Sequence, residues 1–193
     1  PTLSEPYALK GFVYQRLGNT QLAQSSYQTA LEMDANNFDA NSGLGYIYYL
    51  DTNANGLIYF DAATSLDTSA ISPVRNKGLL LKNLGRTEEA KTEFNNVLKI
   101  DSTFEEAYYN LGVCEIDSYN DDFSQKTKDS IVTNAIFYFN RAVTLNPKYV
   151  QALYNLGYSY EFRGDKENAL KYYKQAINIA PDYELVNEAL RRF

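Results

Sequence analysis

The sequence predicts an all-α array of helical hairpins, and three observations carry that prediction. The stretch from Val150 to Tyr183 reads as two amphipathic helices joined by a tight turn. Leu156-Gly157 and Tyr160 fall in its first helix, Gly164-Asp165 in the turn, and Ala169, Tyr173 and Ala176 in its second. Pro181 follows, where a helix does not easily continue. The same order recurs back through the chain at the period of a helical-hairpin array. Finally, the glycines fall on helix-contact and turn positions, and none forms a phosphate-cradling loop.

Helix packing explains these residue types. Small residues belong where two backbones approach, so Gly157 and Ala169 are expected to face one another. Tyr160 and Tyr173 are expected to fill the wedge between hairpins, and Ala176 to admit the next hairpin. The order resembles the tetratricopeptide repeat, W-x-x-L-G-x-x-Y, then A-x-x-x-F, then P. Leu153 stands where that family often has Trp. The resemblance spans Ser4 to Tyr183. It implies a right-handed superhelical solenoid, with residues 1–193 forming a single array of five repeats and a terminal helix.

Taken in order, repeat one covers residues 4–37. Lys10-Gly11 replaces Leu-Gly, Tyr14 follows, Gly18-Asn19 turns the chain, and Ala23, Tyr27 and Ala30 mark the second helix. Ser4 is the expected N-cap, with Pro6 in the first turn. Ala35 takes the breaker position.

Repeat two (38–70) carries Leu44-Gly45, Tyr48, Phe60 and Ala63, with Gly56 in the small-contact position. Its spacing is one residue short, so this is expected to be the least regular of the hairpins without an insertion. Repeat three (71–104) has Lys77-Gly78, Leu81, Gly85-Arg86, Ala90, Phe94 and Val97. Thr87 is the expected cap of its second helix, with Glu88 and Glu89 in the first turn.

Repeat four (105–149) opens on Tyr108 and Leu111-Gly112 and closes on Ala135, Phe139, Ala142 and Pro147. About eleven extra residues fall between Asp117 and Thr133. They form either a surface insertion with extended helix ends, cheap in closure entropy, or a segment that adds to a binding surface. Repeat five covers 150–183. Residues 184–193 form a terminal helix, with Leu185, Ala189 and Leu190 on one face as an end cap.

Composition narrows the function. The chain has 193 residues, 45% of them hydrophobic, a net charge of −6, 18 Tyr and no Trp. The absence of a basic run argues against nucleic acid. No apolar run approaches a membrane span. The chain begins at Pro1 without Met, so a segment upstream is expected to have been removed. The address is therefore cytoplasmic or, if a leader went with it, exported or periplasmic.

Catalytic chemistry is not expected. There is no His, hence no His-based triad and no commonest metal ligand. Cys114 aligns with Val13, Ile47, Leu80 and Ser159 and reads as a small core residue. Asp117, Asp121 and Asp122 lack the glycine and closing acid of an EF-type calcium loop. Glu115 replaces a tyrosine and is expected to turn towards the insertion and stay hydrated. No cofactor or metal is expected.

The resemblance also places a ligand groove on the first helices. It is lined by residues six, three and two before each hairpin glycine, and one and four after it. Asn76, Asn110 and Asn155 occupy the same slot in successive repeats and offer a donor and an acceptor each. They resemble the asparagine ladder of some repeat-bearing sugar transferases. Tyr46, Tyr49, Tyr109, Tyr154 and Tyr158 surround them as anchors, with Arg75 and Glu106 as charged neighbours. The family's carboxylate clamp is not matched, because its paired Lys and Asn positions hold Ala8 and Phe12, Ser42 and Tyr46, Arg75 and Leu79, or Tyr109 and Val113, and only Asn76, Asn110 and Asn155 match.

The expectation is a scaffold that binds another protein through an extended segment lying in this groove. Two alternatives stand beside it. One is a structural module that self-associates or joins the domains of a longer protein. The other is the accessory region of an enzyme whose catalytic domain lies elsewhere.

Overall fold

Five times, a first helix carries a glycine where the ring of the following helix lands. Gly11 meets Tyr27, Gly45 meets Phe60, Gly78 meets Phe94, Gly112 meets Phe139 and Gly157 meets Tyr173. In the computed structural model, which describes residues 3–193, these pairs build five antiparallel hairpins. The helices are α1 (Glu5–Arg16), α2 (Thr20–Met33), α3 (Phe38–Leu50), α4 (Gly56–Leu66), α5 (Ile71–Asn83), α6 (Thr87–Ile100), α7 (Glu105–Asp117), α8 (Gln125–Leu145), α9 (Val150–Phe162), α10 (Lys166–Ile179) and α11 (Glu184–Leu190). No strand occurs among the described residues. The chain divides into two compact units, one ending at Asp101 and one running from Ser102 to Phe193.

The aromatic of each second helix lies over the glycine of its own hairpin. Tyr173 therefore packs inside its hairpin, not in the wedge between hairpins. Its ring, more than the Ala169 side chain, is what Gly157 accommodates. Tyr27 does both jobs, since its far edge also covers Gly43 of α3. Tyr160 and Tyr172 stack at 5.5 Å within the last hairpin and pack against the Val132, Ile136 and Phe139 core of α8, which is the wedge role; Tyr48 and Tyr59 form the same stack in the other unit. The remaining core positions are small or aliphatic, and Ala23, Leu44, Leu111, Leu153, Leu156 and Ala176 are fully buried.

Turns follow the glycines. Gly18, Gly85 and Gly164 have φ of 74°, 74° and 84°, where a Cβ would be strained. The second hairpin departs from this pattern. Thr52 sits at φ 50°, and α4 has 11 residues. Asn19, Asn37, Ser124 and Asp165 cap α2, α3, α8 and α10 with side-chain acceptors.

Two predicted caps are not made. Thr87 is the first residue of α6, with Arg86 at the cap position, and Arg86 instead grips Glu89. Ser4 stands at the cap position of α1 with helical dihedrals and no cap bond; its hydroxyl accepts from Asn37 Nδ2 at 3.1 Å. The Lys77 that replaces leucine beside Gly78 bridges Asp61 of α4 and Glu93 of α6, at 2.6 and 2.8 Å.

The extra residues of the fourth hairpin are split between a loop and a helix. Ser118–Ser124 connect, and α8 then runs for 21 residues, so its first turns extend beyond the hairpin. Gln125–Ser130 are largely exposed, and burial begins at Ile131. Glu115 is not hydrated as expected. It is buried, with Asn134 Nδ2 of α8 at 3.4 Å from its carboxylate. Cys114 is a buried free thiol.

Candidate functional site

In the unit 102–193, α9 carries Tyr154, Tyr158 and Phe162 at four-residue spacing, which puts them on one side of a helix. Their ring centroids are 6.4 Å apart at each step. Tyr183, from the turn after α10, meets Tyr154 edge-on at 6.0 Å; Tyr119, from the loop after α7, meets Phe162 edge-on at 4.9 Å. The result is a continuous aromatic stripe, with Tyr158 38% and Phe162 47% exposed. Lys128 of the extended α8 lies over the Tyr119 ring, 5.6 Å from its centroid.

Beside the stripe, Asn155 donates its amide to the Tyr109 hydroxyl at 3.3 Å. That hydroxyl is held above the ordinary tyrosine range, first by burial. The Tyr109 ring packs on Tyr149 at 4.9 Å and on Phe139 at 5.9 Å, so it is a wall of the site more than a free anchor. Asn110 is buried and donates to the Glu106 carbonyl one turn back. Glu106 is half-buried on the same helix.

Glu161, also on α9, accepts the Tyr173 hydroxyl at 2.6 Å and both arms of Arg192 at 2.8 and 2.7 Å. These bonds, that from Arg192 foremost, hold its carboxyl below the ordinary range. Phe193 lies edge-on to Tyr173 at 6.1 Å.

The other unit holds the remaining expected residues. Asn76 is buried on α5, and its carbonyl accepts from Arg75 at 2.9 and 3.2 Å, so that guanidinium folds back on its neighbour. Tyr46 and Tyr49 are half-buried and pack together at 5.8 Å. Tyr46 lines a groove of about 1050 Å³ on α1, α3 and the start of α5. Phe12, Gln15, Asp39 and Ser42 share it, and Tyr27 forms its floor. Burial, and after it the charge of Asp39, pushes the Tyr27 hydroxyl up to about 12.

The structure thus joins Tyr109, Tyr154, Tyr158 and Asn155 around one surface, while Asn76 accepts from Arg75 and Asn110 donates to the Glu106 carbonyl. Phe162 could have been found from its spacing to Tyr158. Tyr119 and Tyr183 carry no local signal, because only the fold brings them to α9.

The tetratricopeptide-repeat pattern matches residues 4–37, 76–104 and 150–183, about half of the chain. The chain belongs to the tetratricopeptide-repeat family.

Among known proteins, this tetratricopeptide-repeat chain is 25% identical over 210 residues to human Protein O-mannosyl-transferase TMTC1, covering 94% of the chain and 24% of that protein. It is 27% identical over 194 residues to human DnaJ homolog subfamily C member 7, covering 94% and 37%. The chain therefore spans about a quarter to a third of these relatives. Among solved structures, it resembles the MamA protein with a TM-score of 0.76 at 20% identity, covering 91% of each chain. It resembles YrrB, described as a TPR protein with an unusual peptide-binding site, with a TM-score of 0.75 at 21% identity, covering 96% and 91%. Those likenesses establish an all-α solenoid of tetratricopeptide hairpins. Scaffolds of this family generally mediate protein–protein contacts and are generally non-catalytic. No described helix is long and apolar enough to cross a membrane.

Proposed function

We propose that the chain is a protein-binding scaffold whose unit 102–193 takes an extended segment of a partner protein along α9. The exposed aromatic stripe of Tyr154, Tyr158 and Phe162 carries this reading. Rigid aromatic rings held in water give large contact area at low entropic cost, and isolated folds rarely keep such a row exposed without use. Asn155 stands at its edge, half-buried, with one amide hydrogen on Tyr109 and its carbonyl oxygen turned to no other described group. It is the asparagine placed to meet a ligand's backbone; Asn110 shapes the surface from beneath, and Glu106 flanks it.

Selection of a random peptide library on the immobilised chain tests this, followed by amide chemical-shift mapping of the selected peptides. The expected shifts centre on Tyr154, Asn155, Tyr158 and Phe162, and Tyr158→Ala weakens binding about tenfold or more. Salt changes the affinity little, because most of the contact is apolar. Selected peptides that map away from α9 and ignore Tyr158→Ala would overturn the reading.

An assembly role is the second reading, and one observation favours it. Leu9, Val13 and Leu17 follow one another at four-residue spacing along α1 and its C-cap and are 63%, 46% and 73% exposed. Light scattering across a concentration series separates the two readings. A concentration-dependent oligomer abolished by Val13→Ser/Leu17→Ser supports assembly through this face.

A further inference from the structure

The groove on α1, α3 and the start of α5 is charged in one sense only. Glu5, Asp39 and Asp67 line it, together with Phe12, Tyr46 and Ile71, and no Lys or Arg does. Asp67 is taken up by the Ser69 amide and hydroxyl. Glu5 and Asp39 make no ion pair or side-chain hydrogen bond among the described residues. The Ser42 hydroxyl is shielded from water and has no partner there either. A shielded polar group without a partner normally costs stability, so the groove wall at Ser42 carries a small local cost.

The chain itself shows what such a surface accepts. Tyr27 corresponds to Tyr173, and Gln15 to Glu161, by their places relative to Gly11 and Gly157. In both hairpins the tyrosine hydroxyl donates to the residue four after the glycine, to Gln15 at 2.8 Å and to Glu161 at 2.6 Å. In the last hairpin that acceptor is covered by Arg192, with Phe193 set against the tyrosine ring. Beside the first hairpin the acidic charge lies instead on Glu5 of α1 and Asp39 of the neighbouring α3, and no Lys or Arg among the described residues forms an ion pair with either.

We propose that this groove binds a cationic, aromatic- or leucine-bearing segment of another protein. Arginine or lysine side chains of the segment face Glu5 and Asp39, and its apolar side chains lie on Phe12, Tyr46 and Ile71. The guanidinium is the better fit for carboxylates because of its fork of donors. This surface is distinct from the α9 stripe, and its occupant differs in charge.

The test uses the full chain and two labelled twelve-residue peptides, one alternating Arg with Phe and Leu, the other with Glu in place of Arg. Fluorescence anisotropy is read at about 50 and 300 mM salt, over which screening shortens appreciably. The Arg peptide is expected to bind at least tenfold tighter than the Glu peptide and to weaken several-fold at the higher salt. Its chemical shifts should centre on Ser42, Asp39 and Gln15. Glu5→Gln/Asp39→Asn should cost at least tenfold, whereas Asp121→Asn/Asp122→Asn, which removes the same charge from the exposed loop of the other unit, should cost less than twofold. Circular dichroism melts confirm that both double variants are folded. Equal losses from the two double variants would show attraction to net charge alone and sink the proposal. Equal binding of both peptides, or shifts confined to α9, would also overturn it. Self-association through this groove without peptide would assign it to a second copy instead. The α9 stripe is tested separately, through Tyr158, so the failure of one reading is distinguishable from the failure of the other.

Discussion

Tyr173 donates its hydroxyl hydrogen to Glu161 across 2.6 Å, although the two residues lie on different helices of the last hairpin. Arg192 completes the arrangement by binding both carboxylate oxygens. A buried ring, a carboxylate on α9 and the segment after α11 are thereby tied together. The Glu161 carboxyl is held below its ordinary value, chiefly by Arg192. A depressed carboxyl pKa contributes stability that is present above the unfolded value near about 4.3 and lost as pH falls through the folded value. Glu161→Gln should therefore lower the melting temperature at pH 7, by the equivalent of about 0.5–1 kcal/mol for a partly hydrated pair, and by progressively less as pH falls below about 4. A deficit equally large at pH 7 and at about pH 3, in parallel thermal melts, would show that the ionised carboxylate is not the source.

Gly157 has no room for a side chain. A Cβ there would stand 2.8 Å from the Tyr173 ring and 3.3 Å from the Ala169 carbonyl. Gly157→Ala is expected to cost about 1–3 kcal/mol by overpacking, and Gly157→Leu more. Urea denaturation checks this; a midpoint unchanged by Gly157→Ala would mean that the ring moves aside freely.

Thr52 is the non-glycine residue held at positive φ, and it is β-branched. Left-handed backbone costs such a residue roughly 1–2 kcal/mol. Thr52→Gly should raise stability by a fraction of that, since glycine also loses more entropy on folding. Gly85→Ala, at φ 74°, should lower it by about 1 kcal/mol. Differential scanning calorimetry of both variants tests the opposite signs.

The inserted loop is joined to the hairpins through Tyr119 on Phe162. Replacing Ser118–Ser130 with a short turn should leave the far-ultraviolet circular dichroism strongly helical, because burial on α8 begins at Ile131. The loss should be about 0.5–1.5 kcal/mol, the worth of one aromatic pair. An insoluble or unfolded product would show that the segment holds Glu115 and Phe162 in place.

The repeat itself was legible in the sequence because each hairpin solves a local problem. A glycine under a ring, an alanine at a helix contact and a glycine in a left-handed turn are set by neighbours within some thirty residues, so they recur as letters at a fixed period. Gly112 with Phe139 and Gly157 with Tyr173 could be paired that way before any fold was seen. The three asparagines also recur in register, but periodicity does not say what a side chain does once placed. Asn76 accepts from its neighbour Arg75 and Asn110 donates to a carbonyl one turn back, whereas tertiary packing brings Asn155 onto Tyr109, because polar amides take the partners within reach. Glu115 changed character for a similar reason, since Asn134 of α8 comes to meet a carboxylate that the repeat pattern alone leaves open. The stripe that ends on Tyr119 and Tyr183, and the contact of Arg192 with Glu161, join residues far apart in sequence. What the sequence by itself determined was the hairpin and its repetition. What only tertiary structure decided was which polar and aromatic groups remain unspent at the surface, because that depends on side chains arriving from distant elements to bond, cover or charge-pair them.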